Sequence, residues 1–325
     1  MMRGNGGHGE MHITILGGAG FLGRKLAARL AAEGRATSLT LFDMVEPPPL
    51  EAPFPVRCLA GDVGAPGSAI PPETDIIIHL AAVVSAAAEA DFDLGLRVNL
   101  AGTLAVIDAA RRCTKPPRVV FTSSVASFGG GQAALLADDA RQLPENSYGA
   151  QKAAAELILQ DASRRGLIDA VNIRLPTVII RPGRPNAAAS SFVSSILREP
   201  LLGLEATLPV GDAFSLWVSS PRVVVDWLLH AAFMDSAPLE LDRGINPPGL
   251  TVTVAEMLAA LTPAERALVK RVPDATVEAI VGRWPARFAS VRARALGFAE
   301  QVPLPEIVAA FRADDLAATR AERGL

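Results

Sequence analysis

Residues 11–34 read MHITILGGAGFLGRKLAARLAAEG, and this stretch decides the fold. Met11 to Leu16 is a short, mostly apolar run, the pattern of a strand buried in a parallel sheet. From Ala19 to Glu33 the spacing becomes helical, with Leu22, Leu26 and Leu30 along one face. Between the two, Gly18, Gly20 and Gly23 fit G-x-G-x-x-G, and Gly17, Gly20 and Gly23 fit G-x-x-G-x-x-G. Strand, glycine turn and helix in that order open a dinucleotide-binding βαβ unit. The turn needs positive φ, the middle glycine admits a pyrophosphate close to the backbone, and the last lets helix pack on strand. The anion then lies at the positive helix N-terminus, against the first turn with Phe21 and Leu22.

Outward from this unit the alternation continues. Strands are predicted at Ser38 to Phe42, Val56 to Leu59, Asp75 to His79, Arg118 to Thr122 and Ala170 to Arg174. Helices are predicted at Leu96 to Arg112, Tyr148 to Arg165 and Pro221 to Met234, and Pro47 to Pro55 reads as a Pro-rich loop. The fold class is α/β: a doubly wound parallel (Rossmann) sheet with a smaller, mostly helical C-terminal substrate lobe. The alternation fails after Thr177, and Arg243 to Asn246 offers one more strand to the sheet. The nucleotide-binding domain is therefore expected at 11–179 plus about 219–247. The lobe is expected at about 180–218 plus 248–325, with a disordered Gly-rich tail at 1–10.

Composition narrows the function. Of 325 residues, 50% are hydrophobic but only 5% aromatic, so the core rests on Ala, Val, Leu and Ile. The net charge is −3 with no basic run, which speaks against nucleic acid and anionic membranes as partners. The longest uncharged apolar stretch, between Asp75 and Glu89, is shorter than the ~20 residues of a membrane span. Cys58 and Cys113 form no Cys-x-x-Cys pair, and His8, His12, His79 and His230 form no ligand spacing. No metal is expected, and a reducing cytoplasmic setting is.

Asp43 ends the second strand, 20 residues after Gly23. A carboxylate there can bind both ribose hydroxyls of NAD and would repel a 2′-phosphate. Arg35 and Arg57 are not adjacent to it, so NAD is expected rather than NADP.

The sole tyrosine opens Tyr148-Gly-Ala-Gln-Lys152. Positions i and i+4 share a helical face, so phenol and ammonium can point into one cleft. Free tyrosine titrates near 10, and a base near neutrality needs a shift of about 3 units, roughly 4 kcal/mol. A nearby ammonium and an oxidised nicotinamide ring both favour the phenolate. Thr122-Ser123-Ser124 follows the fifth strand, 24 residues before Tyr148, where strand ends face the ligand crevice. A serine hydroxyl there can hold a substrate oxygen beside the phenol.

Together these features resemble the extended short-chain dehydrogenase/reductases across nearly the whole chain. The resemblance is carried by Gly17 to Gly23, Asp43, Gly61-Asp62-Val63, His79-Leu80-Ala81-Ala82, Asn99-Leu-Ala-Gly102-Thr103, Thr122-Ser-Ser124 and Tyr148-x-x-x-Lys152. It implies that Asp62 and Val63 lie near adenine and that Leu80, Ala81 and Ala82 line the cofactor groove. It implies further that Asn99 supports the active-site helix, Ser124 orients the substrate, Tyr148 is the acid/base and Lys152 binds the nicotinamide ribose. Pro176, Thr177 and Val178 match the stretch beside the nicotinamide amide, with Thr122 near it. A homodimer through packed helices is also implied.

Sugar-nucleotide members carry an R-D-F-x-x-V-x-D segment, and here the similar place reads Ala213-Phe-Ser-Leu-Trp-Val-Ser-Ser220, without the arginine. Arg174 to Ser191 instead resembles members that oxidise a four-carbon sugar acid. A small acid needs a cation, and Arg181, Arg184 and Arg222 are the candidates. Ser85, Asn186, Ser190 and Ser191 are candidates for its hydroxyls. The expectation is NAD-dependent oxidation of a secondary hydroxyl of a small sugar acid. The competing readings are a sugar-nucleotide epimerase or dehydratase that retains its NAD, and a non-catalytic NAD(H)-sensing protein.

Overall fold

The computed structural model describes residues 11–130, 134–185 and 190–325. Its centre is a parallel sheet built from β1 (His12–Leu16), β2 (Ser38–Asp43), β3 (Val56–Ala60), β4 (Ile76–His79), β5 (Arg118–Ser124) and β6 (Asp169–Leu175), with Gly244–Ile245 at one edge. From that edge the order is Gly244–Ile245, β6, β5, β4, β1, β2, β3. The chain leaves β1 towards β2 and β3, then crosses back to β4 on the other side. A crevice therefore opens above the carboxyl ends of β1 and β4, where register pairs Leu16 with His79.

Period-two alternation divides the strand residues between two cores. Ile13, Ile15, Ile76 and Ile78 face the first helix, Phe21–Glu33, through Leu26 and Leu30, and the Pro221–Phe233 helix through Val224, Trp227 and Leu228. Leu16, Ile77, Val119 and Phe121 face the other way, onto Val106 of the Gly102–Ala110 helix and Ala155 and Leu159 of the Ser147–Arg164 helix. Each such side chain contributes roughly 1.5–3 kcal/mol when fully buried. Local caps set the helix starts. Ser220 accepts from the Val223 amide with Pro221 in the first turn, and Asn146 accepts from the Gly149 amide.

A third cluster joins Ile179, Val193, Leu197, Val218, Met257 and Phe311. It supports the two-part division drawn from the sequence, which we propose as the domain boundary. This lobe holds more strand than the proline-punctuated helical pattern predicts. Ser215–Ser219 pairs antiparallel with Leu250–Thr253 and parallel with Thr177–Val178, and Ala206–Leu208 pairs with Val269–Arg271. These pieces are two to five residues long, and pairing partners distant in sequence, rather than local pattern, make them strands.

The continuous helix predicted over Leu96 to Arg112 is also corrected. Helix runs over Phe92–Gly95, gives way to a π-helical segment at Leu96–Ala101, and resumes as α-helix at Gly102–Ala110. Such π segments are concentrated at functional sites, and this one carries Asn99. The tail expected at 1–10 and the candidate Asn186 lie outside the described residues.

Candidate active site

A cleft of about 450 Å³ opens at the crevice predicted by the strand order. At one end the glycine turn forms its wall. Gly17 has φ of 91°, which a side chain would strain. A Cβ on Gly23 would run into the Gly17 carbonyl oxygen and come within 2.9 Å of the Gly18 Cα. The turn can thus close on itself and against Leu80 and Ala81 because both positions lack side chains. Gly17, Gly20, Phe21, Leu22 and Gly23 all line the cleft. The helix they begin has no side-chain cap, so its first-turn amides remain available to an anion.

Asp43 lines the same end. Its Oδ2 accepts from the Ala19 amide at 3.0 Å and its Oδ1 from the Met44 amide at 2.7 Å. Two backbone bonds fix the carboxylate and leave each oxygen a further lone pair for a ribose hydroxyl. Asp62 and Val63 form the next stretch of wall, and Leu80, Ala81 and Ala82 the groove floor. These residues fit the adenosine and pyrophosphate of NAD. An Asp43→Asn exchange should raise the KM for NAD about tenfold and narrow the preference for NAD over NADP, as read from initial rates with each cofactor. An unchanged preference would remove Asp43 from cofactor selection.

At the other end Ser124, Tyr148 and Lys152 line the cleft together, with Thr122, Pro176, Thr177 and Val178 beside them. β5 delivers Ser124 at its last residue, and the Ser147–Arg164 helix delivers Tyr148 and Lys152 from its first two turns. Lys152 is buried and its Nζ donates to the Thr122 carbonyl oxygen at 2.8 Å. Burial pulls its ammonium down to about 7, an effect that the Glu156 carboxylate opposes. Burial also pushes the Tyr148 phenol up to about 12, against a hydrogen bond with Ser124 and the charge of Arg181.

Lys152 Nζ lies 5.7 Å from the centre of the Tyr148 ring while it donates to the Thr122 carbonyl. Burial opposes the acidification expected from the motif, and the guanidinium of Arg181 favours the phenolate.

Asn99 does not line the cleft, so it supports the active-site helix as the resemblance implies and is not itself a cofactor-binding or catalytic residue. Its carboxamide is consumed inside the protein. Nδ2 donates to the Val83 carbonyl at 3.1 Å and to Gln151 Oε1 at 2.8 Å, and Oδ1 accepts from the Val83 amide at 2.9 Å. Asn99 therefore ties the groove strand end to the active-site helix, next to Lys152.

Among the substrate candidates, Ser85, Arg181, Arg184, Ser190 and Ser191 reach the cleft. Arg222 does not. It is exposed and makes a two-pronged pair with Asp314, Nε to Oδ2 at 2.7 Å and Nη2 to Oδ1 at 2.6 Å. A guanidinium satisfied at the surface by its own carboxylate has no role in the cleft. Arg181 is different. Among the described residues no carboxylate pairs with it, and its electrostatic partner is Tyr148. Burial lowers its pKa, so an unpaired cation is held in a partly dry site beside the phenol.

Three contributors escaped the sequence reading. Glu156, one turn beyond Lys152, is a buried carboxylate that accepts from Ser123 Oγ, from Gln142 at 2.8 Å and from Arg174 Nε at 3.0 Å. Its i+4 spacing from Lys152 was the available signal. Arg198, 2% exposed, lines the cleft from the Ser191–Leu202 helix, and Trp284 lines it from a segment over eighty residues later in the chain. Nothing local in the sequence marks either.

Residues 13–216 match the family described as the NAD dependent epimerase/dehydratase family. A protein named D-erythronate dehydrogenase from Cupriavidus necator is 45% identical over 320 residues, covering 94% of this chain and 98% of that protein. Another of that name from Haemophilus influenzae is 42% identical over 297 residues, covering 89% and 94%. In three dimensions the chain is similar to a structure described as the nucleoside-diphosphate-sugar epimerase from Agrobacterium tumefaciens, with a TM-score of 0.92, 42% identity and 98% of each chain covered. L-threonine 3-dehydrogenase from Trypanosoma brucei, at 22% identity and a TM-score of 0.82, shares the fold. The glycine turn, the carboxylate that ends β2 and the serine–tyrosine–lysine cleft thus meet a match over residues 13–216 of 325, and the chain belongs to the NAD dependent epimerase/dehydratase family as an NAD-dependent dehydrogenase.

Proposed function

We propose that the chain oxidises the C2 hydroxyl of D-erythronate to 2-dehydro-D-erythronate, with Tyr148 as the base. The observation that carries this reading is the unpaired guanidinium of Arg181 in the same cleft as Ser124 and Tyr148. A substrate with a carboxylate next to its reacting carbinol would set the acid on Arg181 and the hydroxyl on Ser124 and Tyr148. The two relatives named for D-erythronate support the choice of acid.

Bound NAD supplies the hydride acceptor. The protein's part is position and proton control. Ser124 holds the substrate oxygen by its hydroxyl, while its own Oγ accepts from the Ala126 amide at 3.1 Å. Tyr148 Oη takes the hydroxyl proton as the carbon–hydrogen bond breaks. Burial holds the phenol up, and the charge of Arg181 favours the phenolate that proton removal requires. Lys152, whose Nζ donates to the Thr122 carbonyl, would hold the nicotinamide ribose hydroxyls.

Purified protein with D-erythronate and NAD should form free NADH, followed at 340 nm. No turnover on any C4 to C6 aldonate would overturn the substrate class. A sugar-nucleotide epimerase is the second reading, favoured by the description of the Agrobacterium structure. Against it, Ala213 offers no cation, and Ser215–Ser219 is engaged as a strand between Leu250–Thr253 and Thr177–Val178. It would produce no net NADH. A homodimer is part of the proposal. Leu104 and Leu157, on adjoining helices, are 44% and 65% exposed, an apolar face suited to a second copy. Sedimentation equilibrium should give twice the chain mass, and a monomer mass would remove this element.

A further inference from the structure

We infer that the C-terminal helix, Leu316–Arg323, is a positioning element of the substrate site, acting through Glu199 and Arg198 on the backbone of Arg181. This rests on Arg181 as the carboxylate partner. Both polar groups of the Arg181 backbone are held by one turn of the Ser191–Leu202 helix. The amide donates to Ser194 Oγ at 3.1 Å, and the carbonyl accepts from Arg198 Nη1 at 2.8 Å. Ser194 and Arg198 are i and i+4, so they present the two contacts from one face.

Arg198 has no nitrogen left idle. Nε donates to Glu199 Oε1 at 2.9 Å, and Nη2 meets Ser195 Oγ at 3.1 Å and Glu199 Oε1 at 2.8 Å. It is therefore a brace and not a second substrate cation. Glu199, itself buried, also pairs with Arg323 Nη2 at 3.0 Å, and Arg323 Nη1 reaches the Gly183 carbonyl at 3.5 Å. The segment that follows β6 is thus fixed at residues 181 and 183 by a relay that begins at Arg323, 140 residues beyond Gly183. One buried carboxylate holds two guanidiniums, Arg198 and Arg323, and among the described residues Arg181 in the cleft has no carboxylate partner. The relay ends on the Arg181 carbonyl, and Ser194, on the same helix face as Arg198, holds the Arg181 amide.

The test is Arg323→Gln, with Arg323→Lys as the conservative variant. The probe is oxalate, an inert small acid, titrated into the enzyme–NADH complex by calorimetry. The Kd for oxalate should rise about tenfold in Arg323→Gln and recover in part in Arg323→Lys, since small misplacements of a binding group carry losses of this order. The KM for D-erythronate should rise by a similar factor with kcat within about threefold, and NADH affinity and melting temperature should hold. An oxalate Kd unchanged in Arg323→Gln would overturn the inference. So would a parallel fall in NADH affinity, which marks general structural damage, or an absence of oxalate binding by the unaltered chain. Failure of the unaltered chain to oxidise D-erythronate would instead count against the substrate reading, and the oxalate titration would still decide the relay.

Discussion

Tyr148→Phe should lower kcat by about 10³-fold or more while leaving the Kd for NADH within about twofold, as read by stopped-flow turnover and nucleotide fluorescence. The exchange removes one oxygen from a half-buried ring and leaves the glycine turn, Asp43 and Lys152 in place. The phenol lines the cleft beside Ser124, whose Oγ is itself bound to the Ala126 amide, and Lys152 is held by the Thr122 carbonyl. Water is a poor substitute, because it is not held in place beside the substrate hydroxyl as the phenol is. The same experiment addresses the reading of a non-catalytic NAD(H) sensor, which would be indifferent to the loss of one hydroxyl. Retention of kcat within tenfold would remove Tyr148 from the chemistry.

The second large effect is expected at Arg181. Arg181→Gln should cut kcat/KM for D-erythronate about 10²-fold, or roughly 2.7 kcal/mol, the scale of a charge-assisted carboxylate bond lost in a partly dry site. Most of the loss should appear in KM, because the carboxylate is bound alike before and during reaction. Loss of the positive charge also removes an interaction that favours the phenolate. The pH at which kcat reaches half its plateau should therefore move upward. Arg222→Gln is the control. Its exposed pair with Asp314 contributes at most about 1 kcal/mol to stability, and steady-state rates should stay within about twofold. Equal effects at 181 and 222 would refute the placement of the acid.

The parts of the site legible in the sequence are those that depend on short-range spacing. Gly17 to Gly23, Asp43 and the Tyr148–Lys152 pair are each defined within one turn or one strand–helix junction, so local pattern carries them. The doubly wound parallel sheet followed from the same alternation, and its strand order is a finding of the structure. Arg222 was misplaced because an arginine in a loop-to-helix junction reads the same whether it faces a cleft or Asp314, which is 92 residues away. The lobe strands were missed for a related reason: Ala206–Leu208 is a strand only because Val269–Arg271 lies beside it. Asn99 was read by resemblance as a support of the active-site helix, and from the π segment its carboxamide bonds Val83 and, in that helix, Gln151. Arg198 and Glu199 lie in a mixed Arg-Glu-Pro run that resembles any helix surface, yet both are buried.

The central claim is that a hydride leaves C2 of a small hydroxy acid and departs from the protein on a dissociable cofactor. D-Erythronate carrying deuterium at C2 tests it most directly. The account predicts one deuterium on the nicotinamide ring of NADH released to solution, and none remaining at C2 of the product. Deuterium returned to the sugar acid, or reduced cofactor that never leaves the protein, would contradict it.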